Sequence, residues 1–115
     1  MGRQPEQAVA DFRLVVVTAS DTAEAERIAR KIVKKRLAAC VNIVPKVRSI
    51  YRWKGEVQED RETLMLIKTD RRVLAKLKKL IRKMHSYDLP EILAFKIDGG
   101  DRDYLAWLDD ALRKR

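Results

Sequence analysis

A chain of 115 residues with 46% hydrophobic content can form one domain with a genuine core, and is too apolar for disorder. No apolar run approaches the ~20 residues of a membrane span, and the polar segment 1–11 has no signal-peptide core, so the sequence predicts a cytoplasmic protein. The net charge of +9 admits an anionic partner, but it is spread as +4 over residues 1–60 and +5 over 61–115, unlike the concentrated arm of a nucleic-acid binder. The lone Cys40 excludes an intrachain disulfide and fits a reducing compartment. A charged fraction of 37% and a single Asn42 also match thermostable proteins, although composition alone leaves an ordinary source open.

In chain order, residues 1–11 read as a flexible tail and 12–115 as a single domain. Residues 12–18, Phe-Arg-Leu-Val-Val-Val-Thr, form a β-branched run that predicts a central strand. Asp21 then reads as an N-cap, with Glu24 completing a capping box. Ala25, Ile28, Ala29, Ile32, Val33 and Leu37 recur at helical spacing, which predicts a helix over 21–37. Val41, Ile43, Val47, Tyr51 and Trp53 share one parity, the pattern of a half-buried strand. Pro45 lacks an N–H and demands an edge or a bulge there. Lys54-Gly55 supplies a tight turn, and a second extended run, 57–67, returns.

Each arm of this ribbon is about 14 residues, or roughly 45 Å when straight. A compact domain of this size is only about 35 Å across. The ribbon outgrows its own domain, so its apolar edges call for other copies of the chain.

Asp70 can cap a second helix, with Val73, Leu74, Leu77, Leu80, Ile81 and Met84 as its apolar stripe. Residues 85–90 form a connector ended by Pro90, and 92–97 a fourth strand. Asp101 caps a last helix in which Tyr104, Leu105, Leu108, Ala111 and Leu112 face inward. The order β-α-β-β-α-β plus a terminal helix predicts the α+β class, as a ferredoxin-like sandwich with an antiparallel sheet and helices on one face.

Chemistry-bearing residues are sparse. Cys40, His85 and carboxylates such as Glu59, Glu62 and Glu91 are the candidate metal ligands, but there is no Cys-x-x-Cys and no His-x-x-x-His. Cys40, between Ala39 and Val41, reads rather as a small buried hydrophobe, and His85 rather as a helix-end imidazole. One histidine gives no triad, and Gly2, Gly55, Gly99 and Gly100 form no phosphate loop. The loop after the first strand, Thr18-Ala-Ser-Asp21, lacks the arginine an acylphosphatase would need. Tyr51 and Trp53 beside Arg52 and Lys54 fit an interface anchor better than an RNA-binding platform.

Taken together, Arg36-Leu-Ala-Ala-Cys-Val-Asn42, Ser49-Ile-Tyr-Arg-Trp-Lys-Gly55, Val57-Gln-Glu-Asp60, Met65-Leu-Ile-Lys-Thr69, His85-Ser-Tyr-Asp-Leu-Pro-Glu91 and Asp103-Tyr-Leu-Ala-Trp-Leu108 resemble the CutA1 family of divalent-cation tolerance proteins, over about residues 12–112. The resemblance implies a PII-like homotrimer with no established reaction, linked to copper and other divalent cations. It implies a metal set of His85, Glu59 and Glu91, with copper or zinc as the ion, and an intersubunit cleft lined by Tyr51, Trp53, Lys68 and Tyr87. The alternative that it leaves open is a very stable trimeric scaffold without a small-molecule ligand. The family's copper-binding Cys position is Val17 here, its His-His pair is Met84-His85, and the glycine after Pro45 is Lys46. The first two departures weaken copper binding at that site, while Lys46 is a local change of backbone. A small anion using Lys68 is the other ligand the resemblance admits.

Overall fold

The computed structural model describes residues 11–113. The expected tail over 1–11 therefore lies outside the described residues except at Asp11, which is anchored: its carbonyl accepts from the Arg71 amide at 2.8 Å. The elements are β1 (Phe12–Ala19), α1 (Thr22–Lys34), β2 (Cys40–Trp53), β3 (Glu56–Asp70), a 3-10 turn (Arg71–Val73), α2 (Leu74–Met84), β4 (Ile92–Lys96) and α3 (Arg102–Leu112). The strands form one sheet in the order β2-β3-β1-β4, antiparallel throughout. This is the α+β ferredoxin-like plan expected from the sequence.

Cross-strand partners share a face of the sheet. The rows Val41–Ile67–Val15–Ala94 and Ile43–Met65–Val17–Ile92 face α1 and α2. There Val15, Val17, Met65 and Ile67 meet Ile28, Ile32, Leu77 and Ile81, all fully buried. A smaller cluster closes the end of the sheet, with Phe12, Leu108 and Leu112 at its centre. Tyr104 departs from its expected inward orientation: it is exposed and lies beside Trp107, with ring centroids 5.6 Å apart.

Local chemistry sets the element ends. Asp21 Oδ1 accepts from the Glu24 amide at 2.8 Å, as an N-cap should. The Glu24 carboxylate does not close the expected capping box; it bonds the Ser20 amide and hydroxyl instead, each at 2.9 Å. Helix α1 stops earlier than its apolar spacing predicts. Arg36 takes a left-handed φ of 59°, and the Arg36 and Leu37 amides bond back to the Val33 and Ile32 carbonyls. That is a Schellman ending with arginine where glycine is usual. The ribbon turn has positive φ at both Lys54 (51°) and Gly55 (83°), the geometry of a type I′ hairpin.

The parity read along β2 is interrupted. A bulge at Pro45 and Lys46, with Lys46 at φ 62°, sets Val44 opposite Leu64 but Val47 opposite Glu62. Beyond it, Val47, Tyr51 and Trp53 switch to the face opposite Val41 and Ile43. That opposite face carries the rows Phe95–Leu14–Lys68–Cys40, Leu93–Val16–Leu66–Asn42 and Thr18–Leu64–Val44. Leu93 and Phe95 are half exposed, at 50% and 51%. Along the ribbon, Val47, Tyr51 and Trp53 of β2 continue this face, while their β3 partners Glu62, Gln58 and Glu56 are polar.

The ribbon projects as expected. β1 ends opposite Thr63, so residues 56–62 of β3 pair only with β2. The molecule measures 59 × 25 × 22 Å with a radius of gyration of 15.7 Å, against about 13 Å for a compact 100-residue domain.

Candidate functional site

The described polar side chains converge where the ribbon leaves the sheet. The connector between α2 and β4 folds over the end of β1, and His85 anchors it. The imidazole Nε2 lies 2.8 Å from the Thr18 carbonyl oxygen, and Nδ1 accepts the Tyr87 amide at 3.1 Å. A carbonyl only accepts, so Nε2 carries the hydrogen and the ring is neutral. Next to it, the Tyr87 hydroxyl donates to Glu62 Oε2 at 2.9 Å, on the edge of β3 that β1 has vacated. Burial pushes the Tyr87 hydroxyl pKa up, and the bond to the Glu62 carboxylate pushes it further.

Glu24 stitches this connector to the loop after β1. Its Oε2 accepts the Ser86 amide at 2.7 Å, while Oε1 holds Ser20. Burial would raise its pKa, but the donors from Ser20 and Ser86 outweigh burial and hold the carboxyl at about 2. Further along the ribbon, the Tyr51 hydroxyl bonds Asp60, which raises the Tyr51 pKa.

Of the sequence-predicted residues, His85 and Tyr87 come together, their rings 4.8 Å apart. The others do not join them within one chain. Glu59 is paired with Arg48 at 2.8 Å on the exposed ribbon. Glu91 is exposed just before β4. Trp53 sits opposite Glu56 near the ribbon tip, and Lys68 lies opposite Cys40 in the sheet, bonded to Asn42. Each is six residues of β3 from Glu62, about 20 Å in opposite directions. A cleft lined by Tyr51, Trp53, Lys68 and Tyr87 therefore requires more than one copy. Sequence reasoning missed the role of Glu24. Its helix-start position was visible, but its partner Ser86, 62 residues away, gave no local signal.

The set His85, Glu59 and Glu91 does not fit a metal within one chain. Both imidazole nitrogens are already bonded, and no group of three or more His, Cys, Asp or Glu among the described residues could hold an ion. No described helix is long and apolar enough to cross a membrane.

The chain matches the family described as CutA1 divalent ion tolerance protein over residues 13–111. It belongs to the CutA1 family. It is 50% identical over 95 residues to the divalent-cation tolerance protein CutA of Thermus thermophilus, covering 83% of this chain and 92% of that one. It is 44% identical over 92 residues to mouse protein CutA, covering 80% of this chain and 52% of the mouse protein. The chain thus spans about half the length of that animal relative, while matching nearly all of the bacterial one. The crystal structure of CutA1 from Oryza sativa superposes with a TM-score of 0.88 at 40% identity, covering 93% of this chain and 98% of that one. The CutA1 family is described by cation tolerance and not by a reaction.

Proposed function

We propose that this CutA1-family chain acts as a cytoplasmic homotrimer in divalent-cation tolerance, meeting its ligand in clefts between copies. One observation carries the reading: the sheet face opposite the helices carries a cluster of apolar side chains, which Val44, Val47, Tyr51 and Trp53 extend along β2 of the projecting ribbon. An antiparallel sheet that faces water alternates apolar with polar residues. Here Leu14, Val16, Leu64, Leu66, Leu93 and Phe95 stand together on the uncovered side. A second and third copy would cover this face, and their ribbons would bring Tyr51 and Trp53 toward Tyr87 or Lys68.

In this reading a copper or zinc ion is held between copies by Glu59 and Glu91, which are exposed and free to turn; the Glu59–Arg48 pair is a surface pair of the sort that costs under about 1 kcal/mol to break. His85 is a brace for the connector and not a ligand. A bound ligand would act by shifting the 85–91 connector, as in PII-like sensors, an argument from fold analogy. The filled nitrogens of His85 favour a second reading, a stable trimeric scaffold without a small ligand.

Light scattering at micromolar concentration should give three chains of 13.4 kDa each. Phe95→Asp should break the assembly, and a monomeric wild type would overturn the reading. Melting with and without copper and zinc separates the two readings. A saturating ion, at 100 times its Kd, adds about 2.7 kcal/mol. The shift should vanish in Glu59→Gln/Glu91→Gln and persist in His85→Ala. No shift in the wild type with either ion leaves the scaffold.

A further inference from the structure

A second site lies on the helix side, away from the uncovered sheet face. The end of α1, the face of α2 and the end of α3 border an open hollow of about 600 Å³. Small-molecule sites span about 300–1,000 Å³ and pair an apolar floor with a few directed polar groups. This hollow has both parts. Its floor is Leu37, Val73, Leu80 and Leu112, and its rim is Lys34, Lys35, Arg36 and Lys76. No acidic residue lines it.

The surrounding charges leave that rim uncompensated. An adjoining hollow shares Val73 and Leu112 and contains Asp70. Asp70 and its neighbour Asp109 are both tied up: Arg72 bonds the two together, and Arg113 bonds Asp109 at 2.8 Å. Lys34, Lys35 and Lys76 form no ion pair with another described residue. Arg36 adds a second observation. It occupies the left-handed helix end that favours glycine, and its Nη1 donates to the Ala111 carbonyl of α3 at 2.9 Å. A backbone conformation unfavourable to arginine is thereby kept where the side chain joins α1 to α3 across the hollow.

We propose that this hollow binds a single-chain amphipathic anion, its apolar body on the leucine floor and its carboxylate or phosphate head among Lys34, Lys35 and Lys76. The head is recognised by charge, because lysine ammonium groups offer no bidentate geometry. The body is recognised by burial of its methylene groups. A trimer built on the uncovered sheet face leaves the site open, so binding does not depend on the ligand clefts between copies.

Laurate is the probe, titrated into the full-length protein by calorimetry, with dodecanol as the uncharged counterpart. Laurate should saturate one site per chain and bind at least tenfold more tightly than dodecanol. Lys35→Glu/Lys76→Glu should weaken laurate at least tenfold. Lys78→Glu/Lys83→Glu, which changes the net charge equally on residues that do not line the hollow, should alter it less than twofold. Lys35→Gln/Lys76→Gln, a milder change to the same two side chains, should also weaken it. Equal losses in the two charge-reversed pairs, equal binding of dodecanol, loss of binding only in Phe95→Asp, or no saturable laurate binding would each overturn the proposal.

Discussion

Val44 and Val47 lie on the same face of β2 although they are three positions apart, because Pro45 and Lys46 together stand opposite the single residue Thr63. If every residue of β2 paired one to one beyond Val44, with no bulge, Tyr51 and Trp53 would sit on the helix side with Val41 and Ile43. With it, they extend the apolar face on which assembly is proposed.

Lys46 holds the bulge in a left-handed conformation that an L side chain adopts at a cost of roughly 1–2 kcal/mol. Lys46→Gly should therefore raise the unfolding free energy measured in denaturant, by up to about 1 kcal/mol once the extra freedom of unfolded glycine is counted. Lys46→Val should lower it by about 1–2 kcal/mol, because a β-branched residue tolerates this φ worst. A valine variant as stable as the wild type would show that the bulge has no backbone strain to relieve.

Glu24 makes stability depend on acid. Its carboxyl titrates at about 2 when folded against an ordinary 4.5. A depressed folded value means that the contribution is complete above pH 4.5 and disappears as pH falls toward 2. The group accounts for up to about 3 kcal/mol over that window, at about 1.4 kcal/mol per pH unit of displacement. Glu24→Gln should lose about 1–3 kcal/mol at pH 7, since an amide cannot accept all of the Ser20 and Ser86 donors. It should also flatten this part of the acid profile in urea titrations run from pH 7 to pH 2.5. A variant with the wild-type acid profile would contradict the role given to Glu24.

His85 and Tyr87 fasten the connector at different points. His85→Ala strands the Thr18 carbonyl and the Tyr87 amide, and should cost about 2–3 kcal/mol in denaturant unfolding. Tyr87→Phe removes only the donor to the Glu62 carboxylate, and should cost about 1–3 kcal/mol. Hydrogen exchange at the Ser86 and Tyr87 amides should quicken in His85→Ala far more than in Tyr87→Phe. Equal exchange in the two variants would remove the distinction.

The strands and helices were legible because their patterns are local. The Val15-Val16-Val17 run, the Lys54-Gly55 turn and the capping aspartates Asp21, Asp70 and Asp101 each declare themselves within a few residues. The end of α1 was hidden because arginine replaces the usual glycine signal at position 36. Pro45 announced an irregularity in β2, but not that it would turn Tyr51 and Trp53 to the other face. His85 was visible as the sole imidazole; its two partners, Thr18 and the Tyr87 amide, depend on how the connector crosses β1. The same holds for Glu59, Glu91 and Lys68, whose spacing along the chain says nothing of their separation in the folded ribbon.

The sheet order also bears on how the protein is made. β2 and β3 are joined by two residues, so the ribbon can zip as soon as both have left the ribosome. β1 emerges before β2 and β3, yet one of its edges waits for β4, whose last residue, Lys96, follows the end of β1 by 77 positions. Until β4 has emerged, Leu14 and Val16 belong to a strand with an open edge, which leaves the nascent chain in need of shielding over that interval.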